Sequence, residues 1–143
     1  KLKAYYFSKF TKFPVISDDS GLCINALAQQ PGIYSARWAI KYGGFSSAMK
    51  IILKKMKKKK NRSATFVCSL SLKYYNGKMV TAVGKIKGLI AHKILGQKGF
   101  GYDSIFIPQS NSITFGQMPK RKKMNMDHRY IAFRKLKKKI KTL

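Results

Sequence analysis

Acidic side chains are scarce in this chain, so the few that occur are the first candidates for chemistry. The sequence has four acidic residues, all of them aspartates, against 31 lysines and arginines. Two of them, Asp18 and Asp19, are adjacent and follow an apolar run that contains Val15 and Ile16. An acid pair at the end of a predicted strand suits a metal ligand or a general base. An Asx-turn or a helix cap that closes the strand fits the same residues, so the local pattern leaves both interpretations open.

A glycine-rich segment is the second candidate. Gly96, Gly99 and Gly101 surround the aromatic residue Phe100 and precede a third acid, Asp103. Glycines allow backbone amides and side chains to approach a ligand closely. The spacing matches neither a Walker phosphate loop nor a dinucleotide-binding fingerprint. The segment therefore predicts close contact with a ligand without identifying it.

The positive charge of the chain points to a further class of function. A formal net charge of +27 is typical of proteins that bind nucleic acids or anionic membranes. The lysines are nevertheless spread over nearly every segment, and a general bias toward lysine would give the same distribution. The lysine run at residues 57–60 most resembles a nucleic-acid site, although such a run is more often a solvated helix end. Non-specific binding of nucleic acid is kept as an alternative function.

The two cysteines and the hydropathy pattern predict the compartment. Cys23 and Cys68 lie in apolar, strand-like runs, which favours buried free thiols over a disulfide or a metal site. No apolar stretch approaches the roughly 18 residues that a membrane span requires, and no secretory leader pattern is present. With 45% hydrophobic residues, the chain is expected to form one domain over residues 1–143, in the cytoplasm.

Hydrophobic periodicity predicts the elements that must position these candidates. Residues 1–12 carry apolar side chains at helical spacing and predict an amphipathic helix. Residues 13–16 predict a short strand that leads into the acid pair and resumes at residues 22–24 after a bend. A second helix is predicted from Ser46, with Ser46 or Ser47 as its N-cap.

The clearest β signal lies in residues 64–90. Residues 64–74 and 79–90 predict the strands of a long antiparallel hairpin, joined by a type I′ turn at Asn76-Gly77. Gly84 in the return strand, like Gly88, predicts a bulge or a close backbone approach.

The last 20 residues predict one basic helix. Its apolar side chains recur at three- and four-residue intervals, at Met126, Tyr130, Phe133, Leu136 and Ile140. His128 and Arg129 fall near its start and largely off that stripe.

Four separated motifs resemble the inosine triphosphate pyrophosphatases, which hydrolyse aberrant purine nucleoside triphosphates such as ITP, dITP and XTP to the monophosphate and pyrophosphate. In chain order the motifs are Asp18-Asp19-Ser20-Gly21-Leu22, Pro31-Gly32-Ile33-Tyr34-Ser35-Ala36-Arg37, Gly99-Phe100-Gly101-Tyr102-Asp103, and Lys123 followed five residues later by His128-Arg129. A match to all four in the family order is far rarer by chance than a match to one. The resemblance implies an α/β fold in which a twisted, mixed and mostly antiparallel sheet is flanked by helices, in a two-lobed enzyme that pairs as a homodimer.

At the phosphate end, the resemblance implies a Mg²⁺-dependent site. Asp19 matches the general base and a metal-linked carboxylate, and Asp18 matches a second metal-linked acid that supports it. Ser20 is expected beside the phosphates. Cleavage between the α and β phosphates needs a water activated by a carboxylate and a Mg²⁺ ion that offsets charge on the phosphate oxygens.

At the base end, the resemblance implies a pocket for the purine. Phe100 is expected to stack on the base, and Arg129 to read its edge together with His128. The residues that the resemblance assigns to substrate binding at this end are Phe100, Gly101, Tyr102, Asp103, Lys123, His128 and Arg129. Because a guanidinium only donates hydrogen bonds, Arg129 can bond a 6-keto oxygen but meets another donor at the 6-amino group of adenine. An unpaired buried polar group is costly, which provides selectivity.

The sequence also departs from the family pattern. Family members begin with a strand and a phosphate-binding loop, followed by further acidic metal ligands, so residues 1–143 resemble a member without its first third. Little turnover by the 143-residue chain alone is therefore expected. Asp127 stands where the family usually has serine. The competing expectation is a catalytically degenerate relative that binds RNA or DNA through its charge, with an affinity that falls steeply with salt.

Overall fold

The structure, a computed structural model, describes residues 1–141 and consists of one sheet with helices packed against it. The strands are β1 (Val15–Ile24), β2 (Pro31–Gly32), β3 (Ser63–Lys73), β4 (Met79–Ile90) and β5 (Phe106–Pro108). The helices are α1 (Leu2–Ser8), α2 (Ser35–Lys41), α3 (Phe45–Met56), α4 (Lys120–Met124) and α5 (His128–Ile140). The sheet order is β2-β1-β3-β4-β5, and neighbouring strands are antiparallel. The predicted class, an α/β fold with a mostly antiparallel sheet flanked by helices, is confirmed.

Strands β3 and β4 form the long hairpin that the sequence predicts. Their pairing is unbroken from Ser63 opposite Leu89 to Lys73 opposite Met79. The predicted type I′ turn is wrong, because that turn needs a positive φ at both central residues and, of the two, only Gly77 has one, at 90°. Asn76 instead accepts a hydrogen bond from the Lys78 amide through its side chain.

Gly84 allows α5 to lie directly on the middle of the sheet. The ladder is regular through Gly84, so the residue marks a close backbone approach and not a bulge. A Cβ at this position would overlap the backbone of His128 and Ala132 in α5. Replacement of Gly84 by any other residue would therefore force the helix away from the sheet.

Strand β1 is continuous through the acid pair, so the predicted strand, bend and second strand are wrong. Asp18 lies opposite Leu70 of β3, and Asp19 lies opposite Ser69. The pair is therefore in the middle of a strand, neither at a strand end nor in a turn. Because successive side chains of a strand alternate, the two carboxylates project from opposite faces of the sheet.

The other long side of β1 is largely unpaired in the part of the chain that the structure describes. Strand β2 pairs with β1 only at Leu22 and Cys23. The backbone of residues 15–21 therefore forms an open sheet edge within residues 1–141.

The helices depart from their predicted bounds for local reasons. Helix α1 is shorter than predicted, and α3 begins at Phe45 after Gly44, so neither Ser46 nor Ser47 is the N-cap. The predicted C-terminal helix begins later than expected, at His128, because Asp127 caps it by accepting a hydrogen bond from the Tyr130 amide. Residues 142 and 143 of that predicted helix lie outside the described residues.

The buried face of α5 also differs from the predicted stripe. His128, Ala132 and Leu136 are the buried residues, whereas Phe133 is 52% exposed. The helix is thus rotated from its predicted orientation, because Ala132 is small enough to lie against Gly84.

Two observations bear on the compartment. Among residues 1–141, no helix has both the length and the apolar character needed to span a bilayer. Cys23 and Cys68 are free thiols, as predicted. Cys68 is buried in the sheet beneath α5, whereas Cys23, which was also predicted to be buried, is only half-buried.

Candidate active site

A cleft of about 850 Å³ opens where the glycine-rich segment meets α4 and the start of α5. Apolar and charged side chains share its lining, including Ile16, Leu70, Met118, Lys123, Asp127 and Arg129. Apolar walls with a few converging polar groups are typical of small-molecule sites.

The ring of Phe100 lies in this cleft and is 59% exposed. The Lys123 ammonium is 4.6 Å from the ring centroid, and the Arg129 guanidinium carbon is 5.2 Å from it. Cations at such distances are attracted to the electron-rich face of the ring. The ring is thereby held by two cations while much of its surface stays open for stacking on a planar ligand.

Lys123 is held by a buried carboxylate. Its ammonium donates a 2.7 Å hydrogen bond to Asp103 Oδ2, with the Lys123 and Asp103 side chains only 8% and 4% exposed. The same oxygen accepts a 2.8 Å hydrogen bond from the Phe100 amide. Burial raises the pKa of Asp103, and the bonds from Lys123 and Phe100 offset part of that effect. Asp103 therefore joins the loop that carries Phe100 to the helix that carries Lys123.

Gly99 provides the space for that carboxylate. Its φ is +77°, a conformation that side chains with a Cβ rarely adopt. A Cβ at Gly99 would also overlap Asp103 Oδ2. The first glycine of the Gly99-Phe100-Gly101 motif is thus required by the buried ion pair.

Arg129 is held by Asp18. Its Nε donates a 2.5 Å hydrogen bond to Asp18 Oδ2, and the Ser20 hydroxyl donates a 2.8 Å bond to Asp18 Oδ1. Burial acts to raise the pKa of Asp18, but the bonds from Arg129 and Ser20 outweigh it and leave the pKa below its usual value. The first acid of the pair and Ser20 therefore support a cleft residue from the same face of the sheet.

Asp19 lies on the opposite face. Its Oδ1 accepts a 3.0 Å bond from Lys3 of α1, and its side chain is 62% exposed. The structure therefore does not bring the two predicted metal ligands together.

The donor set allows only a limited metal site. Within residues 1–141, no group of three or more His, Cys, Asp or Glu side chains is placed to hold a metal ion. Both oxygens of Asp18 already accept hydrogen bonds, so Asp18 fits a metal poorly. Asp19 fits better, because Mg²⁺ in nucleotide sites commonly takes one or two carboxylates with the remaining ligands from water and phosphate.

Two residues predicted to bind substrate are in the core. Tyr102 is 2% exposed, donates a 2.9 Å hydrogen bond to the Ser35 carbonyl, and has a pKa raised by burial to about 12. His128 is 3% exposed and stacks on Phe66 with ring centroids 4.7 Å apart. Burial lowers the pKa of His128 to about 4, and its Nδ1 has no hydrogen-bond partner among the described residues. Both side chains lie in the core and do not line the cleft.

The predicted residues thus divide by position. Phe100, Lys123 and Arg129 line the cleft. Asp103 bonds Lys123 and the Phe100 amide, Asp18 bonds Arg129, and Ser20 bonds Asp18. Gly101 lies near the Phe45 ring.

Asp127 lines the cleft but was not assigned to the site from the sequence. The sequence offered two signals for this residue. Asp127 is one of only four acidic residues, and it directly precedes His128-Arg129. A sequence pattern does not show that a helix cap also borders a cleft.

Comparison with known proteins shows the family to which the chain is similar. The model of the Ham1 family matches residues 1–139. A dITP/XTP pyrophosphatase from Caulobacter vibrioides is 39% identical over 138 residues, which cover 95% of this chain and 71% of that protein. A dITP/XTP pyrophosphatase from Dictyoglomus thermophilum is 40% identical over 141 residues, covering 95% of this chain and 67% of that protein.

Solved structures give the same relationship. The Ham1 protein of Staphylococcus aureus superposes with a TM-score of 0.91 at 34% identity, covering 99% of this chain and 73% of that one. A HAM1 protein from Coxiella burnetii has a TM-score of 0.90 at 32% identity, with 99% and 74% covered. The chain therefore spans about two thirds to three quarters of the length of the relatives it matches.

Proposed function

The chain belongs to the Ham1 family, and on that premise we propose that it hydrolyses aberrant purine nucleoside triphosphates, such as dITP and XTP, to the monophosphate and pyrophosphate. The observation that carries the proposal is the cleft in which the exposed Phe100 ring lies beside Lys123 and Arg129. An exposed aromatic ring beside two cations suits a purine base with an electronegative edge. The names of the relatives supply the substrate class.

Selection of the base follows from the donors that face the cleft. Arg129 uses Nε to bond Asp18, and its terminal N–H groups have no hydrogen-bond partner among residues 1–141. These groups can donate to the 6-keto oxygen of hypoxanthine or xanthine. Adenine carries a donor at the same position, so its binding would leave buried donors unpaired.

At the phosphate end, Asp19 acts as the general base. Its exposed carboxylate takes a proton from the water that opens the bond between the α and β phosphates. The assignment rests on the match of Asp19 to the family motif and on the exposure of its carboxylate, which is 62% accessible. Mg²⁺, held by Asp19 and the phosphates, would supply positive charge to the phosphate oxygens.

The proposal includes the setting of the enzyme. We place it in the cytoplasm, where free thiols such as Cys23 and Cys68 are usual, and we expect a homodimer on the strength of the family resemblance. The net charge of +27 predicts additional non-specific binding of nucleic acid, which a salt titration would measure as a steep loss of affinity. The family comparison favours the enzyme over a binding module as the main function.

The test is the release of pyrophosphate by the full-length protein from dITP, XTP, dATP and dGTP, with Mg²⁺ and after chelation with EDTA, because little turnover is expected of residues 1–143 alone. We expect dITP and XTP to be preferred, and Asp19→Asn to reduce the rate by about 100-fold or more, because a positioned base contributes that much. The ratio of rates between bases decides the proposal. Equal rates with all four nucleotides would contradict it, and unchanged rates in EDTA would remove Mg²⁺ from it.

A further inference from the structure

Asp127 places a hydrogen-bond acceptor in a cleft whose other charged groups are donors. Its side chain is 9% exposed, and it lines the cleft with Lys123 and Arg129. The three residues together can present both donors and an acceptor to a bound base.

The two oxygens of Asp127 have different surroundings. Oδ1 accepts a 2.8 Å hydrogen bond from the Tyr130 amide and so caps α5. Oδ2 is 4.0 Å from the Lys123 ammonium, too far for a hydrogen bond, because that ammonium lies 2.7 Å from Asp103. Among residues 1–141, Oδ2 therefore accepts no hydrogen bond, and it remains available to a ligand.

The purine bases differ in what they present to such an acceptor. A 6-keto purine carries an acceptor at O6 and, next to it, a donor at N1–H. Adenine carries the reverse pattern, a donor at the 6-amino group and an acceptor at N1. Arg129 beside Asp127 offers a donor next to an acceptor, which complements the 6-keto pattern and opposes that of adenine.

We propose that Asp127 is a specificity-determining residue, whose Oδ2 accepts the N1–H of a 6-keto purine while Arg129 donates to O6. The inference rests on the proposed function and adds a second point of base selection to it. Guanine has the same N1–H, so Asp127 selects against adenine and leaves the discrimination between guanine and hypoxanthine to other groups.

The helix cap makes a clean test possible. Asn and Ser cap helices about as well as Asp, so Asp127→Asn and Asp127→Ser should retain α5. In Asp127→Asn the amide oxygen must take the place of Oδ1 to bond the Tyr130 amide. The amide nitrogen, a donor, then stands where Oδ2 was and reverses the polarity of the contact.

The experiment is calorimetric titration of the chain with IMP, AMP and N1-methyl-IMP, which bind without turnover. We expect the unaltered chain to bind IMP about tenfold or more tightly than AMP or N1-methyl-IMP, as the loss of one hydrogen bond to a charged group predicts. Asp127→Asn should weaken IMP and strengthen AMP, so that their ratio approaches or passes one. Asp127→Ser should bind IMP and N1-methyl-IMP equally.

Asp19→Asn is the matched control, because it makes the same chemical change on the opposite face of the sheet and should leave the IMP to AMP ratio unchanged. An equal ratio in the unaltered chain and Asp127→Asn, or no binding of IMP by the unaltered chain, would overturn the inference. Pyrophosphate release from dITP by the full-length protein is measured separately. If release is absent while residue 127 still controls the ratio, the proposed function fails and base selection by Asp127 stands.

Discussion

The two ends of the proposed site, a base end at Lys123 and a phosphate end at Asp19, contain ion pairs of similar length in opposite surroundings. At the base end, Lys123 and Asp103 are 2.7 Å apart and almost wholly buried. At the phosphate end, Lys3 and Asp19 are 3.0 Å apart, and each side chain is 60% exposed or more. Water screens the second pair, so it contributes little to stability, whereas the loss of one partner from the first leaves a buried charge.

This difference in burial distinguishes a rigid, preorganised end of the proposed site from an exposed end. The base end is organised before the ligand arrives, because Asp103 fixes Lys123 and the Phe100 amide, and Asp18 fixes Arg129. The phosphate end is held only by an exposed contact that a ligand can replace at small cost. Under the proposed function, recognition of the base would rely on rigid groups, and binding of the triphosphate would complete the other end.

The largest expected effect comes from breaking the buried pair. Lys123→Met leaves Asp103 without its cation, and we expect the free energy of unfolding to fall by about 3–5 kcal/mol. Urea denaturation measures this change. A loss as small as that of an exposed pair would remove the contrast between the two ends.

The second effect is a dependence of stability on pH at the base end. Burial lowers the pKa of His128 from 6.5 to about 4, so the unfolded chain binds a proton at a higher pH than the folded chain. The stability should be full above pH 6.5 and fall between pH 6.5 and 4, by about 3 kcal/mol in total. Urea denaturation across this range should show the fall in stability, and His128→Phe should remove that fall. A fall that persists in His128→Phe would assign it to other groups.

The third prediction tests whether the absence of a Cβ at Gly99 makes room for the Asp103 carboxylate. Gly99→Ala forces a Cβ against Asp103 Oδ2, whereas Gly101→Ala, at a φ of +66°, meets its nearest atom only at 3.8 Å. Both changes should cost the roughly 1–2 kcal/mol of a left-handed conformation. Thermal unfolding should then show an additional loss in Gly99→Ala alone. Equal losses would show that the Asp103 carboxylate moves without penalty.

The smallest effect is expected at the exposed pair. Lys3→Met makes the same chemical change as Lys123→Met, but it should reduce the free energy of unfolding by less than about 1 kcal/mol. Urea denaturation of the two variants side by side gives the comparison directly. A larger loss in Lys3→Met would mean that α1 depends on this contact.

The predictability of the fold from the sequence depended on the range of the determining contacts. The β3–β4 hairpin followed from local alternation and was predicted correctly. The continuity of β1 was not, because Asp, Ser and Gly are turn residues locally, while pairing with β3 along the full strand holds them extended. The buried face of α5 depended on Gly84 in a distant strand, which helical periodicity does not contain.

The site was predicted in part for the same reason. The motif resemblance selected Phe100, Lys123 and Arg129, and the structure places all three in one cleft. It could not separate residues that face the cleft from those that support it, such as Tyr102 and His128, because both kinds lie in the same motifs. Nor could the adjacency of Asp18 and Asp19 show that a strand directs them to opposite faces.

Within residues 1–141 the edge of β1 is largely unpaired, which has a consequence for how copies of this 143-residue chain behave in concentrated solution. Unpaired strand edges tend to join with one another and lead to aggregates. Here a charge of +27 keeps the molecules apart by repulsion, over a distance of about 8 Å at an ionic strength of 0.15 M. Added salt shortens that distance, so light scattering should report growing particles as the salt concentration rises. The positive charge of the lysines is therefore expected to limit aggregation through this strand edge.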